Sequence, residues 1–181
     1  MKDYLKLFLR LFIAETIALG LLVSILAVIQ DTPVSVAWTN GLLVGAILGF
    51  IFSLVASLLH LRSVKTILPE GYEEALGVHH TRSVDLQLSR DEAFDLCLDS
   101  LQSINGYQVQ MERAEGKVVA RVGAIGKRDV ITLSLSKPTG GKARLIISSR
   151  PALRTTMIDF GRNLKNVEKL VAYIEKAESR G

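Results

Sequence analysis

One glutamate interrupts an otherwise apolar stretch of this chain, Glu15 within Leu11–Ile29. A carboxylate in hydrocarbon is costly, so such a group marks an ion or proton path unless a neighbour satisfies it. Measured from Arg10, Glu15 lies about 7.5 Å deeper at the helical rise. That depth lets it snorkel, pair with Arg10 or bond Ser53 or Ser57, and the structural reading is favoured. Three histidines, His60, His79 and His80, raise the question of a metal. Adjacent histidines on extended backbone point to opposite sides, and no Cys, Asp or Glu stands at ligand spacing. No metal and no other cofactor is expected, and His60 is placed at headgroup level beside Arg62.

Gly123-Ala124-Ile125-Gly126-Lys127-Arg128-Asp129 looks like a phosphate loop only superficially. A P-loop needs G-x-x-x-x-G-K-[ST] between a strand and a helix; here the spacing differs and a strand follows. A solvated hairpin tip is the better reading. Lys127 and Arg128, with Arg62 and Lys65, are candidates for contact with lipid phosphates. The densest grouping is Ser148–Asn163, from which Arg150, Arg154, Thr155, Thr156, Asp159, Arg162 and Asn163 form a candidate binding segment. Loops held by a rigid scaffold often carry function. The competing reading is that Arg150, Asp159 and Asn163 tie down a crossing, with Thr156 or Asp159 as helix N-cap. No histidine lies near in sequence to activate a hydroxyl, though the fold could bring one. No catalytic residue is assigned.

The elements that must hold these residues follow from the apolar pattern. Two runs, spanning about residues 5–29 and 36–60, are long enough to cross a bilayer, which takes roughly 20 apolar residues. Lys2, Lys6 and Arg10 precede the first run, Arg62 and Lys65 follow the second, and Gln30–Ser35 carries no Lys or Arg. The positive-inside rule then puts both termini in the cytoplasm. The expectation is a multi-pass protein of the inner or plasma membrane: a transmembrane hairpin over 1–61, a juxtamembrane connector over 62–80, and a cytoplasmic domain over 81–181. A single cysteine, Cys97, suits a reducing compartment. The net charge of +4 is too small and too mixed with acids for nucleic acid.

Within 81–181, Ser83–Leu88 alternates as a strand, and Ser89-Arg90-Asp91-Glu92 has the form of a capping box that opens a helix. Four further strand patterns follow, near 107–112, 118–125, 130–135 and 143–148, then a helix from about Phe160. The order is β-α-β-β-β-β-α, an α+β two-layer domain with an antiparallel sheet. Two stretches, S-R-P-x-L-x-T-T-x-x-D-x-G-x-N-x-x-N-V-E over Ser149–Glu168 and S-R-D-E-A-F-D-L-C-L-D-S-L over Ser89–Leu101, carry a family resemblance over residues 81–177. The chain resembles small bacterial membrane proteins with two N-terminal transmembrane helices and a cytoplasmic α+β domain. The resemblance implies that architecture and no activity.

Glycine costs about 1 kcal/mol against alanine inside a helix, so Gly41, Gly45 and Gly49, continued by Ser53 and Ser57, need a reason. Thr16, Gly20, Ser24 and Ala27 form a matching stripe. Antiparallel pairing is expected to join Ala27 with Gly41, Ser24 with Gly45, Gly20 with Gly49 and Thr16 with Ser53. Each four-residue step turns by about 40°, so the whole row is not expected to meet one straight neighbour. Ala46, Ala56 and Ser57 are left as candidates for contact with another copy. The functional expectation is a membrane-anchored, non-enzymatic accessory or scaffold protein. Its partners would be the lipid bilayer and either itself, as a homo-oligomer, or another membrane protein. The alternative is lipid or small-amphiphile binding in a groove between the last helix and the sheet.

Overall fold

The computed structural model describes residues 2–123, 128–136 and 143–179. The chain divides into two compact units, Met1–Leu76 and Gly77–Gly181.

In the first unit, helix α1 (Lys2–Ile29) and helix α2 (Val34–Ile67) are both long and apolar enough to cross a membrane. The link between them is tighter than the apolar pattern suggests. Asp31 takes a left-handed φ of 61°. Thr32 N–H donates to Ala27 O, and Pro33 O accepts from Val36 and Ala37, which starts α2 two residues early. α2 also runs on to Ile67 before Pro69 ends it. Gly71, at φ 72°, then reverses the chain into a 3-10 turn, Tyr72–Ala75. Lys65 Nζ stands 5.4 Å from the Tyr72 ring centroid. His60 is therefore fully buried, its Nε2 3.1 Å from Leu76 O, whereas Arg62 beside it is exposed.

The small-residue row is the seam between α1 and α2, displaced by one turn from the expected register. A Cβ on Gly45 would lie 2.8 Å from Gly20 Cα and 2.6 Å from Thr16 O, and one on Gly41 would lie 2.6 Å from Gly20 O. Gly49 faces Thr16, where Gly20 was expected. The short link explains the shift, because an earlier start of α2 moves every facing pair. The whole row Gly41, Gly45, Gly49, Ser53 and Ser57 is buried, continued by His60 and Val64. A partner that crosses along the i, i+4 row can follow its drift, which the straight-neighbour argument leaves out. Ser57 thus belongs to the seam and not to an outer contact; Ala46 and Ala56 are half-buried. Phe50 meets Phe8 and Phe12 edge-on, at 5.6 and 6.2 Å between centroids. Ala27 is half-buried, and Ser24 donates to Gly20 O.

The second unit is α+β. Strands β1 (His80–Leu86), β2 (Tyr107–Glu112), β3 (Lys117–Val122), β4 (Asp129–Leu135) and β5 (Ala143–Pro151) form one antiparallel sheet in the order β1-β5-β4-β3-β2. Helices α3 (Arg90–Ser100) and α4 (Arg162–Glu178) follow β1 and β5. The capping box forms: Ser89 Oγ accepts from Glu92 N–H, and the Glu92 carboxylate accepts from the Ser89 hydroxyl and from its backbone N–H, bonds that hold that carboxyl below its usual range, the hydroxyl first. Asn105, left-handed at φ 53°, ends the 3-10 extension Leu101–Ile104. Inward-facing Leu86, Val118, Ile131, Leu133, Leu145 and Ile147 meet Phe94, Cys97, Val167, Leu170 and Ile174 in the core.

Alanine at Gly41 or Gly45 meets backbone and is expected to destabilise the hairpin by about 1–3 kcal/mol. Gly20→Ala, whose Cβ would sit 3.2 Å from Gly41 O, costs less, and Gly77→Ala, with nothing nearer than 4.0 Å, is neutral. Thermal melts in detergent that rank these differently would exclude this seam. Burial pushes the Cys97 thiol up from 9.0 to about 12. It is therefore expected to resist thiol reagents at pH 8 until unfolded. The folded state keeps a proton the unfolded chain loses above pH 9.0, so this contribution to stability is complete below that pH and fades as pH rises toward about 12.

Candidate functional site

The β5–α4 segment turns on Asp129, the first residue of β4, which is fully buried although ionisable. Register sets its neighbourhood: β4 pairs with β5 so that Asp129 faces Pro151 and Ile131 faces Ser149. An uncompensated carboxylate there would be prohibitive. The first turns of α4 supply the compensation. Arg162 grips both oxygens, Nε to Oδ2 at 2.7 Å and Nη2 to Oδ1 at 2.8 Å. Asn163 and Asn166 add amide N–H donors at 3.3 and 3.2 Å. The carboxylate in turn raises the pKa of the Arg162 guanidinium, chiefly through these hydrogen bonds.

Asp159 does the corresponding work for the helix backbone. Its Oδ1 accepts from Gly161 N–H at 3.0 Å, and its Oδ2 from Asn163 N–H at 2.9 Å. It, and not Thr156, satisfies the open N–H groups of α4. Its Oδ2 also accepts from the Asn163 side chain at 2.7 Å, and Asn163 Oδ1 accepts from Ser149 Oγ at 2.6 Å. Phe160 and Gly161 are both left-handed, φ 54° and 72°. Glycine suits the second of these; the first is a strained position for phenylalanine, held by the bonds on either side.

Of the expected binding segment, the structure brings Asp159, Arg162 and Asn163 into this buried network. Arg150, Arg154 and Thr155 are exposed outside it, and Thr156 is half-buried. Asp129, Ser149 and Asn166 belong to the network without having been singled out as site residues. The spacing D-x-G-x-N-x-x-N was a usable signal for two of the three helix-side partners of Asp129, because residues three apart share a helix face. Nothing local marks Asp129 as their partner. The polar atoms here are spent on one another, and their joint effect is to fasten α4 to the ends of β4 and β5.

Space does bring a histidine to a hydroxyl. His79 Nε2 lies 2.9 Å from Ser148 Oγ on the sheet face, and Thr81 Oγ1 stands 3.4 Å from the same hydroxyl. Among the described residues no carboxylate orients His79. Glu15 is half-exposed and has no ion pair with Arg10 among the described residues, and the Ser53 and Ser57 hydroxyls have no hydrogen-bond partner. Of the candidate headgroup contacts, Arg62 and Lys65 are exposed and Arg128 is half-buried, while Lys127 lies outside the described residues.

No protein-family model matches the chain, and no curated protein matches it. Among solved structures it is similar to the crystal structure of TTHA0849 from Thermus thermophilus. That match covers 56% of this chain and 97% of the other, at 16% identity and a TM-score of 0.31.

Asp129→Ala is expected to cost about 3 kcal/mol, the low end for a broken buried pair, because the Arg162 side chain is 33% exposed and regains water. Asn163→Ala removes a hinge of the same network and should cost at least about 1 kcal/mol. Arg150→Ala should stay within about 0.5 kcal/mol. Urea unfolding of the intact protein in detergent, at unchanged m-value, measures all three.

Proposed function

We propose that this chain is a membrane-anchored, non-enzymatic accessory or scaffold protein. Its α+β unit works at the cytoplasmic face by association, with a second copy or with another membrane protein. The observation that carries this reading is the network around Asp129. The residues best suited to chemistry, Asp159, Arg162 and Asn163, are committed to holding α4 on the sheet. Membrane anchorage is supported by two helices of sufficient length and apolarity. The cytoplasmic placement of both termini follows from Lys2, Lys6, Arg10, Arg62 and Lys65 flanking a link without Lys or Arg.

The alternative, an amphiphile between α4 and the sheet, asks for space there. Leu164, Val167, Leu170 and Ile174 of α4 are buried to 2% or less exposure against a sheet whose inner residues are equally buried. That interface is closed to solvent, which favours association as the mode of action. Apolar side chains left outside include Val109 and Met111 on the edge strand β2.

Native mass spectrometry of the intact protein released from mild detergent tests the proposal. A defined oligomer or a stoichiometric complex with a membrane protein is the expected result. A monomer carrying one tightly held lipid would replace it by the amphiphile reading.

A further inference from the structure

We infer that the end of the α+β unit built from Arg150, Leu153, Arg154 and Met157 is a docking face for an anionic lipid bilayer. The topology places it. β1 and β5 are antiparallel with His80 opposite Ser149, so the chain enters the unit at the same end of the sheet from which the β5–α4 segment leaves. β4 begins there too: Val130 pairs with Arg150, and Ala152 N–H donates to Arg128 O at 2.9 Å. β3 ends there with Arg121 opposite Tyr107 and Val130. The link to the first unit is only Gly77–His79. The tether and this face therefore share one end of the strands.

The chemistry at that end is that of an interfacial loop. Leu153 is 65% exposed and Met157 40% exposed, in a turn closed by Thr156 N–H on Leu153 O. Arg121, Arg150 and Arg154 are exposed and have no acidic partner among the described residues. The acids of the same stretch, Asp129 and Asp159, are buried and bonded, so they subtract little from the positive field. At the opposite end of the strands the exposed charges are paired with one another, Asp85 with Arg144, Asp91 with Arg113 and Glu112 with Lys117. Apolar side chains flanked by arginines bind a bilayer by burying the former while the latter meet anionic headgroups. A second copy meeting this face with its own would set arginine against arginine, which disfavours a symmetric dimer here. The tether removes most of the entropy cost of reaching the lipid, so a modest intrinsic affinity suffices.

This inference rests on membrane anchorage by α1 and α2, and the experiment separates the two. Full-length protein carrying Leu153→Cys is labelled with an environment-sensitive fluorophore and reconstituted into vesicles of phosphatidylglycerol and phosphatidylcholine that contain a nitroxide lipid. Cys97, buried with its thiol pushed to about 12, does not compete for label. Parallel samples carry the label at Leu43→Cys on α2, a side chain 62% exposed, and at Lys176→Cys at the far end of α4. Docking predicts lipid quenching at positions 43 and 153 and none at 176. It also predicts loss at 153 alone in pure phosphatidylcholine or high salt. Arg150→Ala with Arg154→Ala should weaken docking about thirtyfold, two contacts of about 1 kcal/mol each. Quenching at 43 with position 153 open to aqueous iodide overturns docking and leaves the anchor standing. Position 153 shielded from both quenchers assigns the face to a protein and also overturns docking. No quenching at 43 overturns the anchor itself.

Discussion

A carboxylate with no access to water dictates the layout of the second unit. Asp129 lies at the start of β4, and its charge is tolerable only where donors converge on it. Those donors come from α4, so the helix cannot slide or rotate over the sheet without stranding the charge. Apolar packing by Leu164, Val167, Leu170 and Ile174 would tolerate neighbouring arrangements; the bidentate Arg162 bond does not. Buried polar networks of this kind select one packing among several of similar apolar area. Asp159 extends the constraint to the backbone by holding the first N–H groups of α4, which forces the left-handed pair Phe160 and Gly161. The segment ahead of that pair is then held outside the core, with its arginines and apolar side chains on the surface.

The first unit meets its constraint by the opposite means. Among the described residues no strong polar bond between α1 and α2 fixes the register; the absence of side chains does. Gly45 over Gly20, and Gly41 over Gly20, bring backbone to backbone within distances that a single methyl group would violate. In apolar surroundings, where hydrophobic burial offers helices little reason to associate, close backbone approach supplies the dispersion contacts that hold them. Ser53 and Ser57 continue the row where glycine stops. Their size suits the seam, and their unbonded hydroxyls are the cost of using serine for it.

The sequence revealed what depends on local order and hid what depends on pairing across distance. The two apolar helices, the capping box at Ser89 and the β-α-β-β-β-β-α order each rest on a periodicity or a turn within a few residues of itself. The small-residue row was visible as well, yet its partner register slipped by one turn. The register depends on where the link closes, and the left-handed Asp31 with the early start at Pro33 leaves no periodic trace. His60 shows the same limit. Its burial follows from a reversal at Gly71 that brings Leu76 O back to α2, a tertiary event sixteen positions away. In the candidate segment, Asp159 and Asn163 could be read as a cap from their spacing. Asp129, more than thirty positions earlier, could not be identified as the charge that Arg162 and the two asparagines answer.

These two constraints divide the polar residues of the chain between structure and contact. An arginine facing a buried acid is held in one geometry and has little left to offer a ligand. An arginine with no acid nearby keeps its donors and its charge for something outside the fold. Arg162 and Arg150 stand within one short segment and differ in this respect only because α4 turns Arg162 toward Asp129, whereas β5 alternation points Arg150 to the outer face of the sheet. The same segment therefore contains a cation held on a buried carboxylate and, among the described residues, exposed cations without acidic partners. Sequence proximity groups them, as the motif does; electrostatics separates them. Within the motif, Asp159, Arg162 and Asn163 stabilise the fold, while Arg150, Leu153, Arg154 and Met157 of the same segment stand exposed outside the network.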